Sequence, residues 1–241
     1  MLLIKTKIKQ LLRLAGVDLT KNMAYDRLTR QIMQRVIGPS SNCVDIGCHD
    51  GDMLEYMIRL SPNGKHMAFE PILHQYERLK AIYGQQASIY PYALANENGR
   101  QPFMHVLNDE AYSGLRKRSY AISQPEIKEI EVETRRFDDL ISEDMTINFM
   151  KIDVEGAELL VMRGALQTIG RCKPHVVFEF GLGASDYYGV KPRDVFELLV
   201  DGCELKISTP AHFIKGKTGL TLEEFQEHYQ RGSEYYFVAH P

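Results

Sequence analysis

From residue 42 onward the chain keeps one rhythm: a short apolar run, a longer segment with helical spacing, then another apolar run. That alternation is the mark of βαβ units, in which parallel strands are joined by helices that cover both faces of the sheet. The runs fall at 43–47, 66–70, 88–92, 147–153 and 175–180, followed by 203–208 and 235–239. Between them the spacing predicts helices over 53–60, 72–83, 157–169, 192–200 and 222–229, the second starting just after Pro71. The expected fold is α/β: a doubly wound, mostly parallel sheet with helices on both faces. With 241 residues, 44% of them hydrophobic, a single domain of this kind can bury a full core.

One interval breaks the rhythm, the stretch 93–146 between the third and fourth runs. Within it Glu129, Glu131 and Glu133 alternate with Ile130, Val132 and Thr134, a period of two that means a strand with one wet face. With 103–107 this predicts an inserted β element, whose loop over 108–119 reaches toward a site. At the N-terminus Ile4, Ile8, Leu11, Leu12 and Ala15 share one helical face, while Lys5, Lys7, Lys9 and Arg13 precede the first acid, Asp18. Such a basic amphipathic helix packs on its own domain or a partner subunit, or lies on an anionic membrane. The expected division is a helical extension over 1–38 and one α/β domain over 39–241.

Charge and cysteine content narrow the classes. A net charge of −3 argues against a nucleic-acid partner. Cys43, Cys48, Cys172 and Cys203 are irregularly spaced with no C-x-x-C pair, so they read as reduced thiols rather than a disulfide or zinc framework. No apolar run has the length of a membrane span, and the lysines interrupt the N-terminal one before any cleavage site. A cytoplasmic protein is expected.

The chemistry begins at Asn42-Cys43-Val44-Asp45-Ile46-Gly47-Cys48-His49-Asp50-Gly51, which passes from a buried strand through two glycines into a helix. Gly47 permits a positive φ and leaves the backbone bare, so a ligand can approach the N–H groups of the next helix. A phosphate-binding loop would carry Gly-Lys-Ser/Thr, and the dinucleotide fingerprint has a glycine where Cys48-His49 stands. Asp45 and Asp50 would repel an anion. A ligand with both an ammonium and a carboxylate suits the turn better, Asp45 accepting from the amine and the N–H groups holding the acid. About twenty residues beyond Gly51, the second run ends at Glu70, where doubly wound nucleotide folds hold a ribose. The fourth run delivers Asp153 and Glu155 to the same sheet edge, with Glu158 placed to favour the start of the next helix. Glu179, set among Val177, Phe178 and Phe180, must be paired, protonated or turned into a polar cavity.

The segment Lys151-Ile152-Asp153-Val154-Glu155-Gly156-Ala157-Glu158, followed by Arg163-Gly164-Ala165, resembles the FkbM family of S-adenosylmethionine-dependent methyltransferases almost letter for letter. Asp45 through Gly51, Phe69-Glu70-Pro71, Tyr92-Ala93-Leu94-Ala95 with Gly99, and Ser113-Gly114-Leu115 extend the resemblance over residues 40–182. It implies a class I methyltransferase fold, a seven-stranded sheet whose last strand is inserted antiparallel, and methylation of a hydroxyl on a sugar, glycan or secondary metabolite. It also implies S-adenosylmethionine as cofactor, held by Asp45, Gly47, Cys48, His49, Gly51, Glu70, Pro71 and Asp153, with Ala93 and Leu94 flanking the adenine. Related folds put an aspartate after the third strand to accept from the adenine amine; here Asn96 stands there.

Removing the acceptor's proton calls for a base, and carboxylates at the sheet edge are the candidates. Asp153 and Glu155 come first and Glu179 next. His74, His105, His175 and His212 follow, His175 starting its strand at the wrong end. The same three acids could hold a divalent ion, but acid/base use is expected and no metal ligand is assigned. Ser113 and Arg116, in a loop with Lys117, Arg118, Tyr112 and Tyr120, are the candidate contacts to a small-molecule or glycan acceptor. A binding module without activity and an RNA methyltransferase are the rival readings. Intact glycines and strand-end acids weigh against the first, overall charge against the second.

Overall fold

The computed structural model describes residue 18 and residues 20–241, so the basic helix expected at the N-terminus lies outside the described residues. The first three strands are β1 (Cys43–Ile46), β2 (His66–Phe69) and β3 (Ala87–Tyr90). The insertion supplies β4 (Tyr92–Leu94), β5 (Gly99–Val106) and β6 (Ile127–Arg135). The remainder are β7 (Phe149–Ile152), β8 (His175–Glu179), β9 (Lys206–Ser208) and β10 (Tyr236–His240). Seven of them form one sheet in the order β3-β2-β1-β7-β8-β10-β9. The order reverses between β1 and β7, which is where open α/β sheets leave a crevice at the carboxyl ends of their strands. β10 runs antiparallel to both neighbours, so it starts at the edge where the others finish and sets Tyr236 opposite Glu179.

Alternation along each central strand explains the two-sided core. Val44, Ile46, Met150, Ile152 and Phe178 face one layer, with Phe137, Leu159 and Met162. Cys43, Phe149, Val177 and Val238 face the other, against Ile32 and Met33 of α1 (Lys21–Val36) and Met57 of α2 (Asp52–Leu60). Truncating a ring such as Phe149, which is wholly buried, would cost about 3–5 kcal/mol. Two residues further along these strands the second face turns polar: Cys43 is followed by Asp45, Phe149 by Lys151, Val177 by Glu179, and Tyr236 precedes Val238. The polar groups therefore gather at one edge and on one face.

α1 begins at Thr20, whose hydroxyl accepts from the Met23 N–H at 3.2 Å, and buries Tyr25, Thr29, Ile32 and Met33 at helical spacing. Next in the chain come α3 (Leu73–Tyr83), α4 (Glu158–Gly164) and α5 (Leu166–Cys172). The single helix expected over 157–169 is two, broken at Ala165. Gly164 lies so close to the backbone after β4 that an added Cβ would sit 2.0 Å from the Ala95 carbonyl oxygen. The helix expected over 192–200 is α-helical only as α6 (Pro192–Phe196) and widens into a π-helix over Glu197–Gly202. α7 (Pro210–Ile214) and α8 (Leu222–Arg231) complete the helices among the described residues. The insertion is a three-stranded sheet, β4-β6-β5, in which β5 and β6 pair antiparallel as expected and β4 joins parallel to β6. No described helix is long and apolar enough to cross a membrane.

Candidate active site

The turn after β1 is built for close approach. Gly47 has φ 74°, and a Cβ there would fall 1.9 Å from the Asp153 carbonyl oxygen, so this glycine lets the β1 and β7 loops touch. Gly51, at φ 84°, caps α2 against Leu79 and Tyr83. Four N–H groups of the turn are bonded within the protein. Gly47 and Cys48 donate to the Phe69 carbonyl at 3.1 and 3.3 Å, His49 to Glu70 Oε2 at 3.0 Å, and Gly51 to the Cys48 carbonyl at 2.8 Å. These four donors hold the turn and Glu70 in place.

Beside the turn, Asp45 is fully buried and neither carboxylate oxygen has a hydrogen-bond partner. Burial pushes its pKa up to about 6 despite the Lys151 ammonium 4.0 Å away. The Leu54 N–H eases the charge somewhat without reaching hydrogen-bond geometry. Such an orphaned acceptor is costly and is normally met by a partner, which a bound ligand can supply.

Lys151 sits between two acids. Burial opposes its charge, but Asp153 and Asp45 outweigh that and hold the ammonium above its ordinary pKa. Its Nζ donates to Asp153 Oδ2 at 2.9 Å, and the Tyr236 hydroxyl donates to the same oxygen at 2.6 Å. Burial works against the Asp153 carboxylate too, yet Lys151 and Tyr236 keep it ionised. Burial and the charge of Asp153 push Glu179 well above the ordinary carboxylate range. Glu155, at a left-handed φ of 60°, is ion-paired with Arg118, whose guanidinium lies 5.0 Å from the Tyr112 ring centroid and 5.8 Å from that of Tyr120. Glu158 turns back into the loop and accepts from the N–H groups of Val154 and Gly156 at 3.0 and 3.1 Å.

Two cavities meet here, sharing Gly47, His49, Ala111, Asp153 and Glu155. One is an apolar cleft between the end of β2 and the insertion, lined by Phe69, Pro71, Ile72, Ala93, Leu94 and Phe103, with Glu70 in its wall. Glu70 accepts from the His49 and Ile72 N–H groups, one on each oxygen, which leaves a lone pair on both. Burial raises it to about 7. The other is a chamber of about 610 Å³ that reaches Asp45, Lys151, Glu179 and Tyr236.

Of the residues singled out from sequence, the structure brings Asp45, Gly47, His49, Glu70, Pro71, Ala93, Leu94, Asp153, Glu155 and Glu179 to the walls of these two cavities, with Cys48 in the chamber and Gly51 behind the turn. Asn96 is exposed and outside both. Ser113 lines the apolar cleft, where its hydroxyl accepts from the Val106 N–H at 3.0 Å. Arg116 lines neither cavity: it donates to the Tyr187 carbonyl at 3.1 Å and lies over the Tyr188 ring. His74 and His105 converge on Glu110 instead of the sheet edge, both with Nε2 2.9 Å from Glu110 Oε1. His175 stacks near His240 at the far end of its strand, and His212 belongs to α7. Lys151 and Tyr236 were not assigned a role from sequence. A lysine inside the apolar strand Phe149-Met150-Lys151-Ile152 is the signal that could have found the first, because a buried ammonium demands an acid.

Oxygens of Asp153, Glu155 and Glu179 lie within 4.8 Å of one another, close enough to share a cation. The donor set fits a divalent ion poorly, since Lys151 and Arg118 already neutralise two of the three acids.

A profile of the methyltransferase FkbM domain matches residues 45–205. No protein with a curated description matches the chain. Among solved structures, the methyltransferase FkbM from Methylobacillus flagellatus KT superposes with a TM-score of 0.53 at 16% identity, covering 84% of this chain and 44% of that one. The chain thus spans less than half the length of that relative. Aeropyrum pernix fibrillarin, solved with natively bound S-adenosyl-L-methionine, gives a TM-score of 0.45 at 12% identity over 89% of this chain and 74% of that one. With the profile covering both strand-end motifs and most of the sheet, the chain belongs to the methyltransferase FkbM family.

Proposed function

We propose that the protein methylates a hydroxyl of a small polyhydroxylated acceptor, a sugar, glycan or secondary metabolite, using S-adenosylmethionine. The observation that carries this is Asp45: a buried carboxylate whose two oxygens have no hydrogen-bond partner, in the chamber that meets an apolar cleft with Glu70 in its wall. The residues fit the cofactor. Asp45 would take its ammonium, Glu70 its two ribose hydroxyls, and Phe69, Ile72, Ala93 and Leu94 its adenine. When bound, S-adenosylmethionine supplies a methyl group activated by a positive sulfur.

The chain's own part is to orient and deprotonate. Lys151 and Tyr236 both bond Asp153 Oδ2, which fixes the carboxylate plane and leaves Oδ1 for the acceptor hydroxyl. Asp153 holds that hydroxyl and receives its proton as the new bond forms. Holding the acceptor in line is worth roughly 7–11 kcal/mol in favourable cases. The acidic chamber favours a small acceptor over RNA, whose phosphates it would repel.

Calorimetric titration with S-adenosylmethionine across pH tests the reading. Asp45 and Glu70 have folded pKa values above their unfolded ones, so in the free protein their contribution to stability is full in acid and is lost as pH rises through about 6 and about 7. The cofactor partners the ionised forms, so binding releases protons. Its affinity falls on the order of tenfold per pH unit from about 7 to about 6 and on the order of a hundredfold per unit below about 6. Absence of binding at neutral pH would overturn the proposal. Turnover is expected to be unchanged in EDTA, because protein cations already occupy the acidic cluster; loss of activity that Mg²⁺ restores would show a metal there.

A further inference from the structure

Resting on the methyl-transfer reading, the polar groups in the wall of the apolar cleft specify which base the cofactor carries. Phe69, Ile72, Ala93, Leu94, Phe103 and Leu115 give a flat purine apolar surface, but such surface accepts any base; a choice among bases needs donors and acceptors at the base edge. Asn96, which stands where related folds read the adenine amine, is exposed and outside both cavities. The insertion supplies the groups instead. Its loop between β5 and β6 brings Glu110 and Ser113 into the cleft lining, three residues apart on one 3-10 turn, a spacing at which side chains eclipse. The turn is closed by the Ser113 N–H donating to the Glu110 carbonyl at 3.0 Å, and is tied to β5 by backbone bonds exchanged between Met104 and Gly114 at 2.8 and 3.2 Å.

The two side chains have opposite capacities left. His74 and His105 each set Nε2 2.9 Å from Glu110 Oε1, and Gln75 donates to Oε2. Burial works against the Glu110 charge, but the bonds from His105, Gln75 and His74 outweigh it and hold the carboxyl below its ordinary range. Three partners leave such a carboxylate, with its roughly four acceptor positions, room for one more donor. Ser113 is 8% exposed, and its oxygen accepts from the Val106 N–H at 3.0 Å, while among the described residues nothing accepts its own proton. A buried O–H beside apolar walls calls for an acceptor. The turn therefore offers an acceptor next to a donor. Adenine offers the complement, an amine N–H next to a ring nitrogen that only accepts, whereas hypoxanthine and guanine carry a carbonyl oxygen in place of the amine, which would face the Glu110 carboxylate.

We infer that Glu110 is a specificity-determining residue for the base of the cofactor, accepting from the exocyclic amine of adenine, with the Ser113 hydroxyl donating to a ring nitrogen beside that amine. The test uses the full chain and calorimetric titration with S-adenosylhomocysteine, S-inosylhomocysteine, in which an oxo group replaces the amine, and the 1-deaza and 7-deaza forms of the adenosyl compound. The parent is expected to bind the adenosyl compound at least about tenfold more tightly than the inosyl one, the worth of one hydrogen bond to a charged group. Glu110→Gln, whose amide can donate to the oxo group, should bring the two within about threefold of each other. The parent should also bind one of the deaza forms several-fold more weakly than the adenosyl compound, and Ser113→Ala should abolish that difference. Loosening of the loop alone would weaken all four compounds together and leave these ratios unmoved. Equal binding of the adenosyl and inosyl compounds by the parent, ratios that the two variants leave unchanged, or equal binding of both deaza forms and the adenosyl compound would overturn the inference and leave cofactor binding standing. Binding of none of the four compounds would overturn the methyl-transfer reading itself, and the inference with it.

Discussion

Asp153→Asn is expected to lower kcat by about 10²–10⁴-fold, the range a positioned base contributes, with S-adenosylmethionine affinity within a few-fold of the parent. The amide cannot take the hydroxyl proton, and it removes the charge that holds Lys151 and Tyr236 on one oxygen. Lys151 then keeps Asp45 as its acid, so the fold is expected to tolerate the change. Glu155→Gln should cost much less, since the Glu155 carboxylate is already engaged by Arg118. Tyr236→Phe should fall between, near tenfold, the usual worth of one hydrogen bond to a charged group. Steady-state kinetics with a separate binding titration distinguish these outcomes. An Asp153→Asn protein with parental kcat would remove Asp153 from the mechanism.

Gly47→Ala is the second large effect, and it acts on structure. A side chain at φ 74° costs about 1–3 kcal/mol for the backbone alone. The Cβ would also overlap the Asp153 carbonyl oxygen at 1.9 Å, and forcing β1 and β7 loops apart adds about 1–3 kcal/mol more. A loss of roughly 2–6 kcal/mol in denaturant unfolding is expected, at unchanged m, with Asp153 displaced and turnover gone. Gly183 provides the control: its φ is 94°, but a Cβ there meets nothing within 4 Å. Gly183→Ala should therefore show the backbone cost alone. Equal destabilisation of the two variants would mean that the contact between the loops is not what requires glycine at position 47.

The strands were legible because a sheet buried on both faces leaves continuous apolar runs, as in Val44 and Ile46 on one side and Cys43 on the other. The split at Ala165 was not, because it depends on how near Gly164 comes to Ala95, a contact across the fold that helical periodicity cannot report. β4 was not read as a strand, only Tyr92 of it falling within the third run, since three residues carry too little alternation. In the site, the glycines and strand-end acids announced themselves by type and order. What sequence could not give was the electrostatics: Lys151 and Tyr236 favour the Asp153 carboxylate, while burial and the Asp153 charge raise Glu179. Tyr236 reaches Asp153 because β10 is reversed, which places the beginning of the last strand beside the ends of the others.

The hydrogen bond from Tyr25 to Glu234 joins residues 209 apart in the chain, and Lys21 binds Gly232 and Ser233 in the same seam. Contacts so distant in sequence carry a loop-closure cost unless much of the chain between is already organised. The seam is therefore expected to form late in folding and to open before the central sheet does. Backbone amides bordering it would exchange with solvent sooner than those of β1 and β7. Early exchange there would mark the chamber wall that carries Glu234 as the part of the fold that opens first.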